Sequence, residues 1–181
     1  MALLDKNTWY ILKHLHQTIA TQAASRIDAG EHLRPQAYLV SPAPAQDGHM
    51  GMHVAEVSAE FIDNLLHQEE GDRLLAKYLA DALHEGSLIQ QQIRREHGIE
   101  ALYTFCVQEA LLPATGADGT PHPAMMVLLN GKGWTLPIFH LIENRGDGSR
   151  ISHLRAFPEM EEIETVQQML QARMQHNSTL H

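Results

Sequence analysis

Residues 100–157 read EALYTFCVQEALLPATGADGTPHPAMMVLLNGKGWTLPIFHLIENRGDGSRISHLRAF, and this stretch decides the fold. Four apolar segments alternate in it with residues that favour turns. The segments are Ala101–Leu112, Ala124–Leu129, Trp134–Glu143 and Ile151–Phe157. Each segment has the length of a strand and follows the previous one after a polar connection. The stretch therefore predicts an antiparallel meander of four strands.

The first two of these strands carry apolar side chains on both faces. In the first, Phe105 and Val107 share one face, and Leu102 and Cys106 share the other, because side chains alternate along a strand. Two apolar faces are typical of a strand that is covered on both sides. Helices or a second subunit must therefore cover both sides of this part of the sheet.

The connections inside the meander carry their own signals. Asn130-Gly131-Lys132-Gly133 predicts a tight turn of type I′, since Asn-Gly accepts positive φ angles. Pro137 lacks a backbone N–H, which predicts an edge position or a bulge in the third strand.

Helical periodicity flanks the meander. Apolar residues at three- and four-residue steps predict a first helix that Asp5, Asn7 or Thr8 can cap and that ends at Gly30. Gly86 leaves two alternatives open for the central helices. Either Gly86 is a stop, with Ser87 and Gln90 as the capping box of a new helix, or one long helix runs across residues 72–97.

Two further segments complete the prediction of secondary structure. Residues 36–57 contain two short strands around a proline-rich loop, which form either a separate small hairpin or further strands of the same sheet. Pro158 and four glutamates open a last helix over residues 159–176. Its apolar stripe consists of Ile163, Val166, Met169, Leu170 and Met174.

The sequence thus predicts an α+β fold. A mostly antiparallel sheet, with the meander Ala101–Phe157 as its body, is covered by N-terminal, central and C-terminal helices. A length of 181 residues predicts a single domain over residues 1–181. Within it, residues 31–98 form a possible small subdomain, residues 99–158 the main sheet and residues 159–176 the C-terminal helix.

Composition narrows the classes of function. Asp and Glu number 22 against 13 Lys and Arg, so the formal net charge is −9 at pH 7. This balance argues against binding to nucleic acid or to anionic membranes, although it leaves an acidic inhibitor or nucleic-acid mimic as an alternative. Cys106, the one cysteine, lies between apolar residues and is interpreted as core. With no disulfide and no apolar signal segment, a soluble cytoplasmic protein is expected.

The 13 histidines suggest a metal site. His140 and His153 lie on consecutive strands of the meander and are expected to be cross-strand neighbours, and Glu109 could join them. Two histidines and a carboxylate would suit iron or zinc, or a small hydrolase-like enzyme, with His122 as a further candidate. His49 and His53 are disfavoured, because on a strand they lie about 13 Å apart.

Aromatic and methionine side chains suggest where a partner could bind. Trp9 and Tyr10 stand near the start of the first helix, and Met169 and Met174 lie on the stripe of the last one. Methionine suits adaptable apolar contacts, and ordinary core packing is the alternative interpretation of all four residues.

The sequence contains no phosphate-binding loop and no nucleophile elbow. We therefore expect a non-catalytic binding, adaptor or regulatory protein that associates with itself as a homodimer or with another protein, without a cofactor.

Overall fold

The computed structural model describes residues 5–44, 50–113 and 119–162. In these ranges the helices are α1 (Lys6–Asp28), α2 (Ala59–Leu66), α3 (Gly71–Ala82) and α4 (Leu88–His97), and the strands are β1 (Gln36–Pro44), β2 (Met50–Glu56), β3 (Tyr103–Leu112), β4 (His122–Gly131), β5 (Trp134–Asn144) and β6 (Arg150–His153). A helical turn begins at Met160. None of the helices in these ranges is both long and apolar enough to cross a membrane.

The strands form one curled sheet in the order β2-β1-β3-β4-β5-β6, and every neighbouring pair is antiparallel. The predicted α+β fold and the meander are confirmed. Residues 36–57 form a hairpin, β1 and β2, that joins the sheet through the pairing of β1 with β3. They are therefore further strands of the same sheet.

Helix α1 lies on one face of the sheet, which we call face 1. Asp5 caps the helix as expected, because its carboxylate accepts hydrogen bonds from the backbone N–H groups of Asn7 and Thr8. The apolar stripe of α1 packs on residues that alternate along β3, β4 and β5. This core includes Trp9, Leu12, Ile19, Ile27, Phe105, Val107, Met125, Val127, Leu129, Ile138, Ile142 and Phe157.

Helices α2, α3 and α4 lie on the opposite face, face 2, where they form a second core with β1 and β3. Helix α3 ends at Ala82 and α4 begins at Leu88. Of the two alternatives for Gly86, a stop followed by a new helix is therefore the correct one. Gly86 has a φ of 78°, and Ser87 accepts a hydrogen bond from the backbone N–H of Gln90. The side chain of Gln90 in turn accepts a hydrogen bond from the backbone N–H of Gly86. Ser87 and Gln90 thus each satisfy a backbone N–H group at the start of α4.

Strand β3 is central, as its two apolar faces predicted. It pairs with β1 on one side and β4 on the other. Phe105 lies in the core under α1, while its neighbour Cys106 lies in the core under α2 to α4.

The fourth strand of the meander is shorter than expected. β6 ends at His153, whereas the sequence predicted Ile151–Phe157. Beyond it the chain turns from the sheet towards α1: the backbone N–H of Arg155 bonds His140, and the ring of Phe157 packs against Trp9 at a centroid distance of 4.9 Å. These side-chain contacts replace the strand ladder.

The turn between β4 and β5 is tight, but it is not of type I′. Gly131 pairs with Trp134, so Lys132 and Gly133 occupy the central positions. Of these two residues only Gly133 has a positive φ, 78°, whereas type I′ requires positive φ at both. The Asn-Gly pair that suggested type I′ belongs to the strand end.

Pro137 lies on β5 opposite Leu128. Strand β6 pairs only with residues 141–144 of β5, so Pro137 lies on a free stretch of the edge, as predicted.

Candidate functional site

The expected cross-strand pairing of His140 with His153 is wrong. His153 pairs with Leu141, and neighbouring residues on a strand point to opposite faces, so the two histidines lie on different sides of the sheet. His153 is exposed on face 2, where it forms a 2.9 Å hydrogen bond with Glu143. His140 is fully buried on face 1. The error came from the centre assumed for the turn, since a shift of one residue exchanges the faces.

Glu109 also has other partners. Its carboxylate binds the Arg150 guanidinium, with Oε2 2.6 Å from Nη2, and accepts a hydrogen bond from the backbone N–H of Leu33. Burial alone would raise the pKa of Glu109, but the hydrogen bonds from Arg150 and Leu33 outweigh it and hold the pKa below its usual value. Glu109 therefore links β3 to β6 through Arg150 and is not a partner of His140 or His153 in the described part of the chain.

The other predicted residues are scattered. His122 is exposed at the start of β4, and His53 is exposed on β2. His49, Met169 and Met174 lie outside the described residues. Throughout residues 5–44, 50–113 and 119–162, no group of three His, Cys, Asp or Glu side chains is placed to hold a metal ion.

Trp9 and Tyr10 point in different directions. Trp9 is buried in the core under α1, where a partner cannot contact it. Ordinary core packing, the alternative interpretation, is therefore the correct one for this residue. Tyr10 is 61% exposed and remains a candidate contact.

The true partner of His140 is His16 of α1. Their Nε2 atoms lie 3.3 Å apart, and both side chains are buried. Burial is the main reason why the pKa of both histidines falls to about 4. The neighbouring His140 also lowers the pKa of His16, and the charge of Arg155 also lowers the pKa of His140. Both rings are therefore neutral at pH 7, and together they form a buried polar contact between α1 and β5.

The sequence itself carries a signal for the burial of His16. His16 lies four residues after Leu12 and three before Ile19, so it falls on the apolar stripe of α1. A histidine on such a stripe points into the core and needs a buried partner.

The most distinctive surface of the molecule is the part of face 2 over β4 and β5. In the described part of the chain, α2 to α4 cover β1 and β3 and reach Leu128 of β4, while the rest of this area lies outside both cores. The cross-strand pairs Met126 with Phe139 and Leu128 with Pro137 lie on it, and Leu141 extends the row. We call these five residues the open face.

The open face is apolar and incompletely buried. Leu141 is 50% exposed, Pro137 is exposed, and the other three residues are half-buried. At one end of the open face Glu143 pairs with His153, and at the other Lys132 lies 3.9 Å from Glu85. Contiguous apolar surface of this kind marks interaction sites.

A cavity of about 610 Å³ adjoins the open face on the side of α3. Leu75 and Leu79 of α3 form one wall, and Cys106 and Leu128 of the sheet form the floor. Burial raises the pKa of the Cys106 thiol to about 11, so at neutral pH this cysteine is protonated and behaves as the core residue that the sequence predicted. The cavity therefore continues the open face with a mixed lining, apolar in its wall and floor and polar at Gln108, Asn130 and Thr135.

Comparison with known proteins gives no relative: no family model, curated protein or solved structure matches the chain.

Proposed function

We propose that the protein is a non-catalytic binding or regulatory protein that forms a homodimer through the open face. The observation that carries the proposal is the uneven cover of the sheet. Among the described residues, α1 covers face 1 across β3, β4 and β5, whereas the core under α2 to α4 reaches β4 only at Leu128 and includes none of Met126, Phe139 and Leu141.

A second copy of the chain fits this surface better than a charged partner would. Strand β4 is apolar on both faces, and such a strand needs cover on both sides. The protein carries a net charge of −9, so two copies repel each other over most of their surface. The uncharged centre of the open face brings them together without placing like charges in contact. A twofold dimer would bury the same patch on both subunits.

We further propose a reducing compartment such as the cytoplasm, because the single thiol serves as a core residue.

Light scattering coupled to size-exclusion chromatography tests the proposal on the full chain. We expect the wild-type protein to elute with the mass of a dimer and the Leu141→Lys variant with that of a monomer, because lysine places a charge within the apolar surface that each copy would bury. Leu88→Lys is the matched control: Leu88 is a 78% exposed leucine on α4, away from the open face, and this variant should remain dimeric.

A second variant separates the open face from the last helix as the contact surface. The double substitution Met169→Lys and Met174→Lys should leave the dimer intact. A wild-type protein that is monomeric at every concentration contradicts self-association. Dissociation by the double substitution, with Leu141→Lys still dimeric, would move the interface to the C-terminal segment.

A further inference from the structure

A second, smaller cavity lies beside α1, the helix that covers face 1. Its volume is about 290 Å³, and it is formed by α1 and by the segment that follows β6. Lys13, His16 and Arg155 line it together with the apolar residues Ala20, Leu154 and Phe157.

The hydrogen bonds around His140 fix the positions of the protons in this region. The backbone N–H of Arg155 donates to Nδ1 of His140 over 2.8 Å, so that Nδ1 carries no proton. In the neutral ring the proton is then on Nε2, which faces Nε2 of His16 at 3.3 Å. His16 accepts this hydrogen bond, and its own proton is therefore on Nδ1.

This Nδ1–H group belongs to a side chain that lines the cavity. It has no hydrogen-bond partner among the described residues. In the same part of the chain, Nε1 of Trp9 is the one fully buried side-chain nitrogen or oxygen that lacks a partner. Nδ1 of His16 is therefore not fully buried, and the cavity that His16 lines gives it access. The side chain as a whole is only 2% exposed, so the donor is held rigidly by the surrounding core.

Two cationic side chains, Lys13 and Arg155, line the same cavity as this donor. Arg155 is exposed, and within residues 5–44, 50–113 and 119–162 no carboxylate forms an ion pair with its guanidinium. Lys13 binds Glu159, with Nζ 2.6 Å from Oε1. The cavity thus has one neutral donor, one free cation and one cation shared with a carboxylate, and its local charge is positive in a protein whose net charge is −9.

We propose that this cavity binds a small organic carboxylate. The carboxylate meets the N–H of His16 and the guanidinium of Arg155, which offers a pair of parallel donors suited to a planar carboxylate. The apolar part of the ligand rests against Ala20 and the ring of Phe157. Since His16 must keep Nε2 as an acceptor for His140, it acts here as a neutral hydrogen-bond donor and transfers no proton.

Isothermal titration calorimetry on the full chain at pH 7 tests this site with sodium benzoate as the probe. Benzyl alcohol supplies the ring without the charge, and inorganic phosphate supplies the charge without the ring. We expect benzoate to bind and both comparison compounds to bind at least about tenfold more weakly. A folded wild-type protein that does not bind benzoate, or that binds phosphate as tightly, overturns the proposal.

Two substitutions of opposite effect locate the binding. Arg155→Gln keeps the backbone N–H that bonds His140 and should weaken benzoate binding by about tenfold. Glu159→Gln removes the carboxylate that competes for Lys13 and should strengthen it. Arg145→Gln is the matched control, because Arg145 is an exposed arginine in the turn after β5, and it should leave the affinity unchanged. Equal affinities in the wild-type protein and the Arg155→Gln variant would contradict the proposed site.

Discussion

His16 and His140 show how a single buried contact ties the stability of the protein to pH. Both side chains are neutral in the folded protein because burial lowers their pKa to about 4, whereas in the unfolded chain they titrate near 6.5. Between these values the unfolded state binds protons that the folded state does not. The contribution of the pair to the free energy of unfolding is therefore complete above pH 6.5 and decreases as the pH falls towards 4.

This behaviour can be measured by chemical denaturation between pH 7 and pH 4.5. We expect the pair to contribute a slope of up to about 1.4 kcal/mol per pH unit for each histidine. A double variant, His16→Leu with His140→Leu, should lose that slope whatever its stability at pH 7. Carboxylates titrate over part of the same range, so the difference between the two proteins is the relevant quantity.

The control for this measurement is His84→Gln, which removes an exposed histidine and should leave the slope unchanged. An identical pH dependence in the wild-type protein and the double leucine variant would contradict the assignment of neutral buried rings.

At the scale of single elements, the hairpin of β4 and β5 depends on a glycine. A Cβ atom placed on Gly131 would overlap the indole of Trp134, its cross-strand neighbour. Gly131 does not have a positive φ, so the restriction is purely steric. The close approach lets the indole lie over the strand end and pack towards Tyr103 at a centroid distance of 6.2 Å.

We expect Gly131→Ala to lower the free energy of unfolding by about 1–3 kcal/mol, the usual cost of overpacking. Gly146→Ala is the matched control: nothing lies within 4 Å of its added Cβ, and its effect should stay within about 0.5 kcal/mol. Urea denaturation of both variants measures the difference. Equal stabilities would show that the indole moves aside without cost.

The elements also show which features could be predicted from the sequence. The helix from Asp5 and the central position of β3 followed from local capping and from alternation of side chains. The pairing of His140 could not be obtained in this way, because one residue of error in a turn reverses the face of every side chain in the next strand. The limits of helical cover over β4 depend on how α2 to α4 pack together, a long-range property that the pattern of a single strand does not contain.

At the scale of the whole molecule, an ion pair spans the inside of the curled sheet. Arg150 of β6 and Glu109 of β3 are separated by two strands, yet Nη2 and Oε2 lie 2.6 Å apart, and the Arg150 side chain is only 12% exposed. In a flat sheet, strands three positions apart would be about 14 Å from each other. The curl of the sheet brings these residues together, so the ion pair depends on the curvature from β3 to β6.

We expect Arg150→Met to destabilise the protein by about 2–3 kcal/mol, because it leaves the carboxylate of Glu109 partly buried without its main partner. The double variant, with Glu109→Gln added, should recover part of this loss, and a double-mutant cycle from denaturation curves gives the coupling. Arg145→Met breaks an exposed pair with Glu143 and should cost less than about 0.5 kcal/mol. A coupling near zero for Arg150 and Glu109 would contradict a role in closing the sheet.

Pro137 has a consequence for how copies of the protein can aggregate. It lies on the stretch of β5 that β6 does not reach, and its missing N–H interrupts the row of donors that an added strand would need. On this stretch of β5 the edge therefore offers a second molecule only an incomplete ladder. The dimer that we propose would use the open face in place of the edge. A twofold dimer buries this face on both subunits, so no copy of it is left to bind a third molecule and build a filament.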